Sequence, residues 1–259
     1  MNAPQTPPPC RLCNGFLWPL AGLALLLALW WLAVHGLGRD SLMAARFAPE
    51  TTAQAALALA AGGEIWQHAF ASLRRVAYGL AIALAAGIPL GLLLGSWAAF
   101  ERASSTAFQF LRMISPLSWM PIAVMALGVG EAPVVFLLAF AAVWPIVLNV
   151  AAGIRAIDPL WLTLADSLGA SRREQLWHIT VPAIASHLLT GVRLAIGLIW
   201  VVLVPAEMLG VNAGLGYFIL DTRDRMAYGE LMAGVLFIGL LGFLLDWLAR
   251  LAHRRWSGD

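Results

Sequence analysis

Residues 76–100 read VAYGLAIALAAGIPLGLLLGSWAAF, a stretch without a single charged side chain. A helix crossing about 30 Å of hydrocarbon needs roughly 20 consecutive apolar residues, so this run predicts a membrane span. The composition of the 259-residue chain agrees, at 61% apolar and only 12% Asp, Glu, Lys and Arg. Soluble domains run at roughly 45–50% apolar and about 25% charged. So few charges cannot solvate the outside of a soluble fold, which excludes a soluble enzyme or a disordered chain. The net charge of +2 is too small to point to nucleic acid.

Working outward, Leu17–Val34, Met113–Gly130 and Ala132–Ile154 are also free of charge. Ala183–Leu209 carries His187, Arg193 and Glu207, and Leu231–Ala249 carries Asp246. The expectation is an all-α membrane protein with six transmembrane helices and a tight turn between Gly130 and Pro133. Residues 36–66, Ala-rich with Pro49 and Gly62-Gly63, read as a connection holding a short surface helix. Gly87, Gly91 and Gly95 form a GxxxGxxxG ridge in the second span, which permits close approach of another helix.

Basic residues near span ends favour the cytoplasmic side. With the N-terminus inside, the inner segments hold Arg11, Arg102, Arg112, Arg155, Arg172, Arg173, Arg193, Arg250, Arg254 and Arg255. The outer ones hold Arg39, Arg46, Arg74, Arg75, Arg223 and Arg225. Ten against six puts both termini in the cytoplasm, with residues 155–182 as the largest inner loop and 210–228 outside. Cys10 and Cys13 make a lone CxxC in the Pro-rich N-terminal tail. No second pair completes a zinc site, so no metal is expected.

Catalytic motifs are absent. There is no HExxH, no GxSxG and no phosphate-cradling GxxxxGK[ST], so no catalytic residue is assigned and any use of ATP falls to another subunit. The inner loop is the richest segment. Asp158-Pro159 reads as an N-cap followed by proline at the first helical position. Leu160, Leu164 and Leu168 then share one face, and Gly169 closes the helix. Ser171-Arg172-Arg173-Glu174 spells a capping box that starts a second short helix, and Pro182 introduces the next span. The expectation is a helix–turn–helix on the inner membrane face with a polar outward side, a platform for a cytoplasmic partner.

From Gly169, nine residues lead to Ile179-Thr180-Val181-Pro182, a register that resembles the EAA loop of binding-protein-dependent ABC importer permeases. Val181 replaces the family's leucine, and of the opening E-A-A triplet only Ala165 is kept. Further segments resemble the nitrate/sulfonate/taurine class: Gly87–Gly91, Ser115–Pro121, Trp144–Asn149, Thr190–Arg193, Glu207–Leu209 and Gly214–Tyr217. Trp-Pro-x-x-Leu-Asn tilts toward the nitrate and bicarbonate branch. The likeness runs from about Glu64 to Arg250.

The resemblance implies a type I ABC importer permease-like bundle in the bacterial inner membrane, multi-pass, that catalyses no bond change and binds no cofactor itself. Its partners would be an ATP-binding cassette ATPase, a periplasmic or lipid-anchored solute-binding protein, a second permease copy in a homodimer, and lipid. The implied division is a cytoplasmic tail (1–15), a first helix (16–35), a periplasmic connection (36–66), the permease core (67–250) with its coupling loop (155–182), and a cytoplasmic tail (251–259). Ala165, Gly169, Ala170, Ser171, Arg172, Glu174, Ile179 and Pro182 would meet the ATPase. The function implied is import of a small oxyanion or sulfonate, such as nitrate, bicarbonate, an alkanesulfonate or taurine.

Polar groups within the spans are the candidates for a translocation pathway. Pro116 and Pro121 flank Trp119, and free carbonyls there serve either a simple kink or a water-lined cavity. Ser115 and Ser118 add donors. Asn149 either glues helices together or lines the pathway. Arg193 and Glu207, fourteen residues apart on one helix or roughly 21 Å, cannot pair with each other, and Arg193, near the inner end, either snorkels in a structural role or lines the pathway. Glu207, costly in a membrane, is expected to bond an Arg or backbone amides. The charged run Asp221–Arg225 is either a solvated loop or the face on which a binding protein docks. A self-contained channel or secondary transporter is the alternative, and an intramembrane enzyme a more distant one.

Overall fold

The computed structural model describes residues 11–37 and 44–257; residues 1–10 with Cys10, 38–43 with Arg39, and 258–259 lie outside it. Among the described residues the chain is helical, without strands. Helix α1 (Arg11–Leu32) continues as a π turn to Leu37, so the helix starts inside the expected N-terminal tail. A short 3₁₀ turn (Ala44–Phe47) and α2 (Pro49–Gly62) fill the connection. Helices α3 (Glu64–Ser96), α6 (Glu131–Arg155) and α9 (Val181–Gly210) form the centre. Helices α4 (Ala98–Met113), α5 (Met120–Leu127), α10 (Leu215–Asp224) and α11 (Tyr228–Ser257) flank them. Between α6 and α9 lie α7 (Pro159–Ser167) and α8 (Arg172–Gln175).

Among the described residues four helical stretches are long and apolar enough to cross a membrane, Glu64–Ser96, Glu131–Arg155, Arg172–Gly210 and Tyr228–Ala252, and the bent pair Ala98–Met113 with Pro116–Leu127 makes a fifth if it is one broken span. The apolar part of the first helix, Ala21–Gly36, is shorter. Of the expected span Met113–Gly130 only Pro116–Leu127 forms one apolar helical piece, and a sharp break precedes it. Helix α4 ends at Met113, a 3₁₀ turn occupies Pro116–Trp119, and the axis bends by 88° before α5. Pro116 and Pro121 cannot donate backbone hydrogen bonds, and Ser115, which precedes a proline, is held extended at ψ 130°. Hydropathy runs through this break without registering it.

The second span begins earlier than expected, at Glu64, and takes Arg74 and Arg75 into the helix. The second short helix of the inner loop is likewise not separate. From Arg172 the chain runs through a π turn, Leu176–Thr180, straight into α9. Pro182 has no N–H for the carbonyl one turn back, and the wide turn just before it absorbs that defect. The expected outer loop 210–228 is mostly helix α10, with Leu215, Phe218 and Thr222 buried and Asp221, Arg223 and Arg225 outward.

Helix α6 is the most buried of the spans, because small residues bring both neighbours close. A Cβ placed on Gly79, Gly87, Gly91 or Gly95 of α3 would come within 2.6–2.8 Å of Leu138, Ile146, Val150 or Ile154 on α6. On the other side, Gly191 of α9 lies against Asn149 and the Pro145 carbonyl. The main core follows from these contacts: Val134, Leu137, Leu138, Ile146 and Val150 of α6 pack against Ala83, Ile199 and Leu203. A second core beneath α10 joins Leu59, Ile65, Leu215, Phe218 and Ala233.

Gly91→Ala puts a Cβ 2.6 Å from Val150 Cβ and 2.8 Å from the Val147 carbonyl oxygen. Overpacking of this kind costs about 1–3 kcal/mol. A clear loss of thermal stability in detergent is expected, whereas Gly239→Ala, whose Cβ meets nothing within 4 Å, should leave the transition where it is.

Candidate functional site

Three features carry the scarce charge and the loop chemistry. At the end of the bundle where α3 and α6 begin and α9 ends, Arg75 is fully buried. Its Nε and Nη2 donate to the two oxygens of Glu131 at 2.8 and 2.7 Å, a bidentate pair. Its Nη1 donates to Glu207 Oε1 at 2.6 Å and to the Ala213 carbonyl at 2.7 Å. Glu207, also fully buried, accepts from Ser72 Oγ and, at 2.8 Å, from the Gly216 amide. Ser72 Oγ in turn accepts the Leu215 amide, and His68 Nδ1 the Gly214 amide. Arg74 reaches Glu131 from outside at 3.3 Å. Two guanidinium groups thus meet two carboxylates, and the network is neutral.

This network explains the Gly214-Leu215-Gly216 loop. Gly214 sits at φ 127°, and a Cβ there would lie 2.5 Å from Arg75 Nη1. A Cβ on Gly216 would meet Glu207 Cβ at 2.8 Å. Glu207 therefore lies within the bundle wall, fully buried and bonded to an Arg and a backbone amide. Arg75, counted from sequence as an outer-loop charge, is a core residue. A signal for it was present: stepping back by fours from Gly91 and Gly87 along one helical face gives Ala83, Gly79 and Arg75.

The second feature is a cavity of about 900 Å³ toward the other end, between α6, α9, α11 and the start of the broken segment. Its polar lining comprises Arg112, Asn149, Thr190, Arg193 and Asp246, with Pro116 and Trp144 beside them. Arg193 Nε lies 3.1 Å from Asp246 Oδ1, and Asp246 Oδ2 is bridged by Arg250 one turn along α11. Asn149 Nδ2 donates to the Pro145 carbonyl at 2.8 Å. Of the sequence candidates, Pro116, Asn149 and Arg193 come together here. Ser115, Ser118 and Pro121 are exposed and Trp119 half-buried, and none of them lines the cavity. Trp119 packs on Phe140, whose ring also meets Trp144. Arg112 and Asp246 were not singled out from sequence as cavity residues.

The third feature is the segment 158–182. Asp158 accepts the Leu160 amide at 2.9 Å, capping α7. Gly169, at φ 74°, closes it: Gly169 N–H bonds Asp166 O and Ala170 N–H bonds Ala165 O, both at 3.0 Å, a Schellman ending. The reciprocal capping box of Ser171 and Glu174 starts α8. Gln175 Nε2 ties the two helices, reaching Asp166 at 2.6 Å and the Ala170 carbonyl at 3.2 Å. The polar residues Thr163, Asp166, Arg172, Arg173 and Glu174 are exposed, as expected, and a leucine face is exposed beside them. Leu160, Leu164 and Leu168 are 72%, 50% and 78% exposed, with Trp161 and Trp177 beside them, while Ala165 faces inward.

A polytopic helical bundle with a largely apolar cavity carrying a few polar groups, and a doubly capped helical unit at one end, suits a membrane transport subunit. The chain belongs to the family described as binding-protein-dependent transport system inner membrane component, which matches residues 87–258. It is 36% identical over 250 residues to the bicarbonate transport system permease protein CmpB of Synechococcus elongatus, covering 92% of this chain and 89% of that one. It is 38% identical to the nitrate import permease protein NrtB of a Synechocystis species (68% and 64% covered). Against the taurine transport system permease protein TauC of Escherichia coli the identity is 31% (75% and 72%). Its fold is similar to a chain of the MetNI methionine ABC transporter in inward-facing conformations, with TM-score 0.62 at 16% identity, covering 72% of this chain and 93% of that one. The chain is accordingly the inner-membrane permease component of an ABC importer.

Removing one partner of a buried ion pair leaves the other charge uncompensated, at about 3–5 kcal/mol. Arg75→Met should therefore collapse the yield of monodisperse protein in detergent and lower its thermal midpoint sharply. Glu207→Gln, which keeps the shape and an acceptor oxygen, should fall between that variant and wild type in the same assay.

Proposed function

We propose that the chain carries a small oxyanion across the inner membrane, with nitrate or bicarbonate favoured over taurine and alkanesulfonates, driven by ATP hydrolysis in a partner subunit. The observation that carries the coupling is the segment 158–182. A pair of short helices, capped at both starts and cross-tied by Gln175, presents Leu160, Leu164 and Leu168 outward. Large exposed apolar side chains on a stiff unit mark an interaction surface, and an ATP-binding cassette subunit is its partner on this reading. Ala165, Gly169, Ala170, Ser171, Arg172, Glu174, Ile179 and Pro182 build or flank that unit. Two permease copies pair around the pathway, and a solute-binding protein delivers the anion on the opposite face.

The choice of anion follows the relatives' names together with the Trp-Pro-x-x-Leu-Asn segment, Trp144–Asn149, which lies at the cavity. The cationic lining is compatible with all of these anions. Pro116, Asn149 and Arg193 lie on the proposed pathway. Ser115, Ser118, Trp119 and Pro121 form the bent segment beside it, and Glu207 holds its wall together.

Reconstitution with the ATPase and binding protein tests the assignment. ATP-dependent uptake of nitrate or bicarbonate, exceeding that of taurine, is expected; uptake that proceeds without ATP would establish a channel or secondary transporter instead. Gly169 occupies a backbone region that β-branched residues adopt only as outliers. Gly169→Val should abolish stimulated ATP hydrolysis or co-purification of the ATPase while membrane insertion persists. Normal transport by that variant would remove the coupling role from this segment.

A further inference from the structure

Arg193 is engaged on one edge only. Its Nε meets Asp246 Oδ1 at 3.1 Å, and neither terminal amino group has a hydrogen-bond partner among the described residues. A guanidinium offers two carboxylate-matching edges, and the edge formed by its two terminal amino groups binds planar oxyanions in bidentate fashion. Here the side edge is taken and the terminal fork is open, on a side chain that lines the 900 Å³ cavity.

The carboxylate that takes the side edge is itself fixed. Asp246 gives one oxygen to Arg193 and the other to Arg250, four residues along the same helix. The Arg193 backbone is fixed as well, because Gly191, two residues before it, packs against Asn149 and Pro145 of α6. The direction of the guanidinium is thus set by groups on three helices.

The surroundings suit an anion. Arg112 and Arg193 against Asp246 leave the lining cationic by one charge, and Arg112 has no ion-pair partner among the described residues. Asn149 spends one amide hydrogen on Pro145, and the second remains to be donated. The rest of the wall is apolar, with Phe140, Leu194, Leu198 and Val201.

We propose that Arg193 holds the transported anion through the open fork of its terminal amino groups, and that Asp246 is the positioning residue that aims this fork into the cavity. The ligand is an oxyanion with at least two oxygens on one atom, which nitrate, bicarbonate and sulfonates share and chloride lacks. This rests on the reading of the chain as an oxyanion permease and adds the residues that recognise the anion.

The test is equilibrium binding of labelled nitrate, bicarbonate and taurine to the detergent-solubilised permease–ATPase complex, without binding protein, alongside ATP-driven uptake by the wild-type complex in vesicles. Arg193→Lys keeps the charge and loses the fork, so binding should weaken roughly tenfold with the complex still assembled. Asp246→Asn should weaken it roughly threefold to tenfold. The double variant should bind no more weakly than Arg193→Lys alone, since both act through one group. Chloride at matched ionic strength should not displace nitrate from wild type, and this measurement stands even where a variant fails to assemble. Unchanged binding in Arg193→Lys, tighter binding in Asp246→Asn, or displacement by chloride would each overturn the proposal while leaving oxyanion import intact. Failure of the wild type to take up any of the three probes would instead remove the proposed function itself.

Discussion

A guanidinium that cannot leave the bundle dictates much of this structure. Arg75 lies on the face of α3 that packs into the protein, where an unpaired charge costs several kcal/mol. Glu131 and Glu207 must therefore come to it, and they arrive from the first turn of α6 and the last turns of α9. That requirement fixes the register of three helices at one end. It also dictates the loop that follows, because the Ala213 carbonyl takes one of the same donors and the Gly216 amide completes Glu207. Only glycine fits at 214 and 216, so the direction in which α10 starts is set by the same charge.

The ion network and the glycine ridge are two parts of one interface. Arg75, Gly79, Ala83, Gly87, Gly91 and Gly95 fall on one i, i+4 ridge that winds along α3, all but the last buried and with charge at one end and close backbone contact along the rest. In a membrane, where lipid is as apolar as leucine, close approach and polar bonds are what hold helices together, and α3 uses both against α6. Gly191 extends the same logic to α9. The resulting three-helix block is stiff, while α4, α5 and α11 sit at its margin. The cavity opens where that block meets the marginal pieces, so its walls combine rigid residues such as Asn149 with the proline-broken segment at Pro116.

The membrane class, the glycine ridge and the caps of the 158–182 segment were legible in the sequence because each rests on local composition or spacing. Arg75 was not, since its partners lie 56 and 132 residues away and a charge beside an apolar run reads as the end of a span. Pro116 and Pro121 allow a kink, but hydropathy averages over them and gives neither the place of the bend nor its 88°. Asp221–Arg225 reads as a solvated loop by its charge, whereas Leu215, Phe218 and Thr222 carry the helical spacing that α10 realises. The leucine stripe of α7 was found, but a stripe says which residues share a face and not what that face meets. Its outward direction is a tertiary fact.

Those same placements constrain how motion would travel on the proposed reading. Arg172–Gly210 is one helical stretch of 39 residues, joined to the capped unit at one end and locked at Glu207 by Arg75 at the other. Gly191 also packs α9 against Asn149 and Pro145 of α6, so on this reading a push on the capped unit would carry α3, α6 and α9 together. Asp246 sits on α11, outside that block. A shift of the block relative to α11 would change the Arg193–Asp246 contact, and the aim of the guanidinium would then follow the state of the capped unit.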